Sequence, residues 1–380
     1  RHLCEFYQID CEMSFVEQED VFAVAEPFAK NLIESITEKK IISLNTDKTF
    51  KRLTHKEAID TYGSDKPDIR FDMHFEDLTQ NFATSGFSLF SRAVAEGGVV
   101  KAMKFEFKKT DTHLAWDLTW TRPSMSRSEI DALTEVAKSH WAGGLAYIIY
   151  DAEGPKSPIM KFFTGNELET IEAKLKPQVG DVIFFGAGEY KVVCKVLGQV
   201  RLACRDRFEL VDKNEIAFCW VTDFPMYEQK DDGSYDFEHN PFSMPHGGLK
   251  AFEGNPDPLS IYGCQYDLAC NGYEILSGSI RNHSAEALVK AFNIVGKGEA
   301  EVKSKFGAMY TAFQYGVPPH WGFAFGFDRL LMILRDEDNI REIYAFPKSG
   351  KAEDAMMNAP SEVDEVQLRE LHIKVRETNK

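Results

Sequence analysis

An α+β fold, a mostly antiparallel sheet flanked by helices with a second α+β unit inserted, is what the sequence predicts, and three observations carry it. Residues 321–327 alternate strictly, with aromatics at Trp321, Phe323, Phe325 and Phe327 and only Gly322, Ala324 and Gly326 between them. That is the two-residue period of a strand whose faces differ. Residues 263–268 and 273–280 are strand-like and meet at Asn271-Gly272, the strongest short-range hairpin signal. Between residues 74 and 207 strands and helices alternate as a self-contained set.

From the start of the chain, residues 5–15 alternate as well. Tyr7, Ile9, Cys11, Met13 and Phe15 form an apolar face expected in the core. Phe6, Gln8, Asp10, Glu12 and Ser14 opposite them suit either a solvated sheet face or the floor of a polar cleft. From residue 16 to about residue 39 apolar side chains recur at Val21, Val24, Phe28, Leu32 and Ile36, a helical stripe interrupted by Pro27. Residues 48–53 are a short strand, 55–62 a helix, and Gly63-Ser64-Asp65-Lys66-Pro67-Asp68 a polar turn.

Residues 74–207 supply strands around 99–107, 144–150 and 182–185, and helices over 128–141, 166–175 and 189–204. No pairing of titratable groups is visible there, so the stretch reads as a structural or interaction insert. The chain therefore divides into residues 1–73, 74–207 and 208–380. In the last part, Ala217 opens a buried strand that ends at Pro225, and the polar turn Asp231-Asp232-Gly233-Ser234 leads to His239-Asn240-Pro241-Phe242. A strand face of only Gly and Ala at 322–326 is either ordinary packing or room for a flat ligand. Asp328 is expected to cap a buried helix, with Arg329 in its first turn, where a cation opposes the helix dipole and needs a partner.

At 380 residues, 43% hydrophobic and 12% aromatic, the composition is that of two or three compact domains. No apolar run approaches the ~18–20 residues of a membrane span. The seven cysteines are odd in number and lack C-x-x-C spacing, which points to reduced thiols in a cytoplasmic compartment rather than to disulfides or zinc. Arg1-His2-Leu3-Cys4 has neither a start methionine nor a signal-peptide layout and reads as the middle of something longer. A net charge of −16 argues against a generally basic nucleic-acid surface, while leaving room for one local patch.

Gln8, Asp10, His239, Asp267, Glu274, Ser277, Arg281 and Arg329 all fall on or beside strands. Two arginines and two carboxylates on one sheet face are costly to bury unless ligands pair with them. A triphosphate with a divalent cation would pair with both kinds, and the oxygens of Glu274 and Ser277 suit Mg²⁺.

Phe325-Gly326-Phe327-Asp328-Arg329-Leu330 resembles motif 3 of class II aminoacyl-tRNA synthetases, and Arg1-His2-Leu3-Cys4-Glu5-Phe6-Tyr7-Gln8-Ile9-Asp10-Cys11-Glu12 resembles the loop end and second strand of motif 2. Gly272-Tyr273-Glu274 through Gly278-Ser279-Ile280-Arg281 is similar to aspartyl-tRNA synthetases. So are His239-Asn240-Pro241-Phe242 before it and Asn339-Ile340-Arg341 through Ala345-Phe346-Pro347-Lys348 after it. The Gly63 to Asp68 turn and the insert resemble the bacterial type, whose insert is shared with a tRNA-dependent amidotransferase. Two positions depart from that type: the Arg1 to Phe6 loop looks eukaryotic or archaeal, and Asn240 stands where a second histidine often follows His239. Motif 3 is shared with the asparaginyl and lysyl types.

The resemblance implies the following roles. Catalysis would fall to Arg281, Arg329 and Glu274. ATP would contact Arg1, His2, Leu3, Phe6, Glu274, Gly326, Phe327, Asp328 and Arg329, with adenine between Phe6 and Arg329. Aspartate would meet His239, Ser277, Arg281, Gln8 and Asp10, with Arg281 taking its side-chain carboxylate as a bidentate fork. Mg²⁺ would sit on Glu274 and Ser277. The implied reaction joins aspartate to tRNA(Asp), with tRNA(Asn) a second candidate acceptor, in a cytoplasmic homodimer. The anticodon-binding domain and motif 1 would precede residue 1.

Overall fold

The computed structural model describes residues 5–107, 124–164 and 166–376; the ATP-loop candidates Arg1, His2 and Leu3 lie outside the described residues. The chain forms two compact units, Asp10–Ala324 and the pair of segments Arg1–Ile9 and Phe325–Lys380.

The larger unit is organised by a seven-stranded sheet in the order Gln8–Ser14, His320–Gly326, Tyr273–Ile280, Tyr262–Cys270, Glu215–Pro225 and Lys40–Ile42, with Lys51–Thr54 also paired to Glu215–Pro225. Tyr262–Cys270 is antiparallel to both of its neighbours, and the two short strands run parallel to Glu215–Pro225. The expected hairpin is present and turns at Asn271 (φ 51°) and Gly272 (φ 88°), the left-handed pair of a tight two-residue turn.

Helix Gln18–Ile36 covers one face of this sheet. Phe22 stacks on Trp220 at 4.0 Å and meets Tyr266 edge-on at 5.4 Å. The buried stripe is Phe22, Ala25, Glu26, Ala29 and Ile33 together with Val21, whereas Val24, Phe28 and Ile36 of the expected stripe are exposed. Glu26 explains the rotation: its buried carboxylate accepts from Trp220 Nε1 (3.0 Å) and Phe50 N (3.1 Å). A reading by hydrophobicity alone turns such a residue outward.

The apolar face expected in the core over residues 7–15 is a second correction. Tyr7 is 70% and Phe15 79% exposed, Ile9 is exposed as well, and Cys11 and Met13 are half-buried. Gln8–Ser14 stands at the end of the strand order, and among the described residues no layer covers its apolar side.

Residues 75–188 build a separate five-stranded antiparallel sheet in the order Phe75–Asp77, Val99–Phe105, Val182–Gly188, Ala146–Asp151, Gly154–Lys156. Met103, Phe184 and Leu197 belong to the core on one face, and Ala102, Ile148 and Phe185 to the core on the other. Helices Arg127–Ser139, Asn166–Leu175 and Tyr190–Arg207 match the expected ones to within three residues. Titratable groups of this stretch are paired with residues outside it. Buried Lys101 donates to Asp60 (2.8 Å), Tyr190 to the same carboxylate (2.9 Å), and Arg205 to Asp68 (3.0 Å). In each pair one partner lies in residues 55–72, so no local inspection of the stretch could reveal it.

In the smaller unit the backbone N–H of Phe327 donates to Tyr7 O (3.0 Å) and that of Tyr7 to Asp328 Oδ2 (2.8 Å). Helix Phe327–Leu334 is capped by extended Gly326, so Asp328 is a buried first-turn residue and not the N-cap. Its carboxylate is taken by the incoming strand instead. Among the described residues no helix is long and apolar enough to cross a membrane.

Candidate functional site

Strand register decides which side chains of the central hairpin can meet. Gln265 lies opposite Ser279, Asp267 opposite Ser277, and Ala269 opposite Glu274; the pairing shifts by one residue between Leu268 and Ala269. Directly opposed residues share a face, so the irregularity at Ile275 brings Glu274 onto the face of Asp267, Ser277 and Ser279. In a regular strand Glu274 and Ser277 would point to opposite sides.

Arg281 follows two residues after Ser279. Its Nη1 donates to Ser279 Oγ and its Nη2 to Glu12 Oε1, both at 3.2 Å. Ser279 is buried and Arg281 half-buried. The guanidinium is thus held from two sides, which suits a fork that must meet a carboxylate in one orientation. Trp321 stacks with Tyr266 on the opposite face at 6.4 Å, so Gly322 faces the Arg281 side. A Cβ on Gly322 would fall 2.1 Å from the Glu12 oxygens. Above Gly322 the bare strand face is therefore occupied by Glu12 rather than open, and glycine there is a condition of that close approach.

Asp267 is buried and its Oδ1 has no hydrogen-bond partner. Burial, and then the neighbouring Glu274 carboxylate, push the Asp267 carboxyl well above the usual aspartate range. Lys66 Nζ lies 3.1 Å from Glu274 Oε2 and 2.6 Å from Asp65 Oδ2. An orphaned buried carboxylate oxygen beside Glu274, with the Ser277 hydroxyl on the same face, is an all-oxygen donor set that fits a hard divalent cation.

His239 packs edge-on against Phe224 (4.9 Å) and approaches His55 (6.0 Å). The loss of solvent on that side lowers its pKa, although its outer edge is exposed. Asn240 serves the loop: its Oδ1 accepts from Phe242 N, Ser243 N and Ser243 Oγ at 2.9–3.1 Å, and its Nδ2 donates to Gln265 (3.2 Å). Asp10 is exposed. In the smaller unit Phe6, Gln8 and Phe327 are exposed, Gly326 and Arg329 are half-buried, and Arg329 occupies the first turn of its helix as expected.

Glu12, Asp65 and Lys66 had no role assigned from sequence, and Asp267 was seen as polar without one. For Asp267 a signal existed, since two carboxylates flanking an Asn-Gly turn can be cross-strand neighbours. For Glu12 and Lys66 none did, because their partners Arg281 and Glu274 lie more than 200 residues away, and Asp65 enters through its neighbour Lys66.

Asp223, His246 and Cys264 also line up, with His246 Nε2 2.7 Å from Asp223 Oδ1 and Cys264 Sγ 3.5 Å from His246 Nδ1. Burial pushes the Cys264 thiol up to about 12. A thiol that stays protonated at neutral pH is no nucleophile.

His55 gives a prediction. Burial, opposed by Asp65 and reinforced by His239, Lys191 and Lys66, pushes its pKa down from 6.5 to about 4. Between those two values the unfolded chain binds the proton and the folded one does not. This contribution is therefore complete above pH 6.5 and is lost as pH falls toward 4, a change of about 2–3 kcal/mol. In urea titrations across that window His55→Phe is expected to flatten the slope, with His239 leaving a weaker slope of the same sign. An unchanged slope would refute the assignment.

A family model described as "tRNA synthetases class II (D, K and N)" matches residues 1–350. The chain belongs to that family. Relatives of this class II synthetase chain include the "Aspartate--tRNA(Asp/Asn) ligase" of Chlorobium phaeobacteroides strain BS1, 46% identical over 98% of this chain, and that of Chlorobaculum parvum, 45% identical over the same share. The class II chain spans 58% of the length of each. Among solved structures, an aspartyl tRNA synthetase from Entamoeba histolytica aligns with 92% of this chain and 45% of its own, at 18% identity and a TM-score of 0.39.

Proposed function

We propose that this chain is the catalytic region of an aspartate–tRNA ligase. The observation that carries the reading is the guanidinium of Arg281, held by Ser279 and Glu12 on the same sheet face as Asp267 and Glu274. That face offers a fork for an acidic side chain beside carboxylates suited to a metal-bound triphosphate. The names of the Chlorobium and Chlorobaculum relatives support aspartate as the amino acid, and tRNA(Asp) with tRNA(Asn) as acceptors.

Arg281 takes the β-carboxylate of aspartate, His239 closes over it, and Gln8 and Asp10 face the ammonium end. Phe6 and Arg329 sandwich adenine, and Gly326, Phe327 and Asp328 shape the nucleotide site with the Arg1 to Leu3 loop. Glu274 and Ser277 would hold Mg²⁺, joined by Asp267, whose orphaned oxygen fits the role. The ion would neutralise charge on the phosphates and on the departing pyrophosphate. An α-carboxylate oxygen attacks the α-phosphorus, the bond to the β-phosphate oxygen breaks, and pyrophosphate leaves. The terminal ribose hydroxyl of the tRNA then attacks the acyl carbon, and AMP departs. No side chain forms a covalent intermediate, so catalysis rests on positioning and charge stabilisation.

Residues 74–207 are a domain inserted between catalytic parts 1–73 and 208–380. The enzyme is cytoplasmic, and it is a homodimer, to which the exposed apolar side of Gln8–Ser14 and of helix Gln18–Ile36 lends support. In the full-length protein, ATP–pyrophosphate exchange is expected to respond to aspartate and not to asparagine or lysine, and transcripts of both tRNA(Asp) and tRNA(Asn) to be charged. Exchange driven by asparagine or lysine alone would overturn the reading.

A further inference from the structure

The turn Gly63-Ser64-Asp65-Lys66-Pro67-Asp68 takes no part in the function just described, yet it delivers a cation into the carboxylate face. Lys66 reaches Glu274 (3.1 Å) while resting on Asp65 (2.6 Å), and it is half-buried. Around this one ammonium stand three carboxylates, those of Asp65, Glu274 and the fully enclosed Asp267 with its unpartnered Oδ1.

The approach is built, not incidental. Lys66 N donates to Ser64 Oγ (3.1 Å), and Pro67 stiffens the next step. Asp68 then locks onto Arg70 (2.9 and 2.7 Å) and Arg205 (3.0 Å). The turn of the hairpin that carries Glu274 rests on the same residue, since a Cβ on Gly272 would lie 3.4 Å from Asp68 Cβ. Donor turn and acceptor hairpin thus pass close to one another at Asp68, which places the Lys66 side chain within reach of Glu274.

Resting on the reading of Glu274 and Asp267 as the cation-holding pair, we infer that Lys66 is a tethered counter-ion that occupies Glu274 in the nucleotide-free protein and must yield it before a divalent cation can bind there. Its ammonium satisfies Glu274 and repels a second cation from the neighbouring carboxylates. A free divalent ion therefore gains little by entering alone. A cation that arrives bound to a triphosphate brings its own negative charge, which offsets the repulsion and gives the displaced ammonium a new partner in the phosphates while it keeps Asp65. Metal entry is thereby coupled to nucleotide entry.

The test is Mn²⁺ binding to the full-length protein, followed by electron paramagnetic resonance of the free ion, with and without a non-hydrolysable ATP analogue. Without nucleotide, Lys66→Met is expected to bind Mn²⁺ about tenfold or more tightly than the parent, the scale on which one charge at such a distance acts. Lys66→Gln should follow it, Lys66→Arg should stay near the parent, and adding Glu274→Gln should cancel the gain. With the analogue present the difference should shrink. Folded Lys66→Met and Lys66→Gln proteins that bind free Mn²⁺ no better than the parent would overturn the inference, provided the parent binds Mn²⁺ with the analogue. Should the parent fail to bind Mn²⁺ even with the analogue, the reading of the site fails too, and the inference with it.

Discussion

Arg281→Ala is expected to lower kcat/KM for aspartate in ATP–pyrophosphate exchange by about two to four orders of magnitude. A guanidinium forming two charge-assisted bonds to a carboxylate contributes about 1.5–3 kcal/mol for each, and each 1.36 kcal/mol is about a factor of ten in rate. Two further effects act in the same direction. Removing the side chain leaves the Ser279 hydroxyl buried without its present partner and frees Glu12, so a carboxylate is left at the place where the substrate's carboxylate must sit. The loss should appear mainly in the KM for aspartate, with the KM for ATP changed far less. Lysine should rescue little, because an ammonium cannot be held by Ser279 and Glu12 while presenting two parallel donors. Arg281 is only half-buried, so the variant should fold, and near-normal aspartate activation in it would remove the basis of the proposed pocket.

The difference between what the sequence disclosed and what it withheld follows the range of each interaction. The turn at Asn271 and Gly272 was legible because its signal is local, a dipeptide that tolerates positive φ; the Thr54–Glu57 capping box that starts helix His55–Tyr62 is equally local. The family resemblance was legible because its motifs are contiguous. The orientation of Glu274 was not. It depends on a single irregular residue, Ile275, in the pairing with Tyr262–Cys270, and by period-two reasoning Glu274 and Ser277 would point to opposite faces. Nor was the filling of the Gly322 face, because Glu12 enters from more than 300 residues away in sequence. Helix Gln18–Ile36 was misread for a related reason: the partners of Glu26 are Trp220 and the backbone of Phe50, and a carboxylate with distant partners can be the most buried side of a helix.

The second large effect is expected at Asp68, where stability and site geometry meet. Its side chain is fully enclosed, and burial alone would raise its pKa, but the hydrogen bond and charge of Arg70 together with the charge of Arg205 outweigh that and keep it ionised. Arg201, itself buried, adds donors to the Asp68 (3.0 Å), Phe71 (2.8 Å) and Met73 (3.0 Å) carbonyls and lies 3.8 Å over the Phe71 ring. Arg201 and Arg205 thus bind the segment after the Lys66 turn to helix Tyr190–Arg207, while Arg70 braces Asp68 from within that segment. Asp68→Ala leaves Arg70 and Arg205 without their shared carboxylate, and breaking such a buried pair costs about 3–5 kcal/mol. A fall of roughly 5 °C in melting temperature is expected. Asp68→Asn should recover only part of this, since an amide matches one guanidinium edge poorly. The double variant Asp68→Ala with Arg205→Ala should lose less than the sum of the two single changes, because the arginine has then already lost its reason to be buried. An Asp68→Ala protein that melts with its parent would mean that water and the backbone carbonyls satisfy both arginines, and that the turn is held by Arg201 alone.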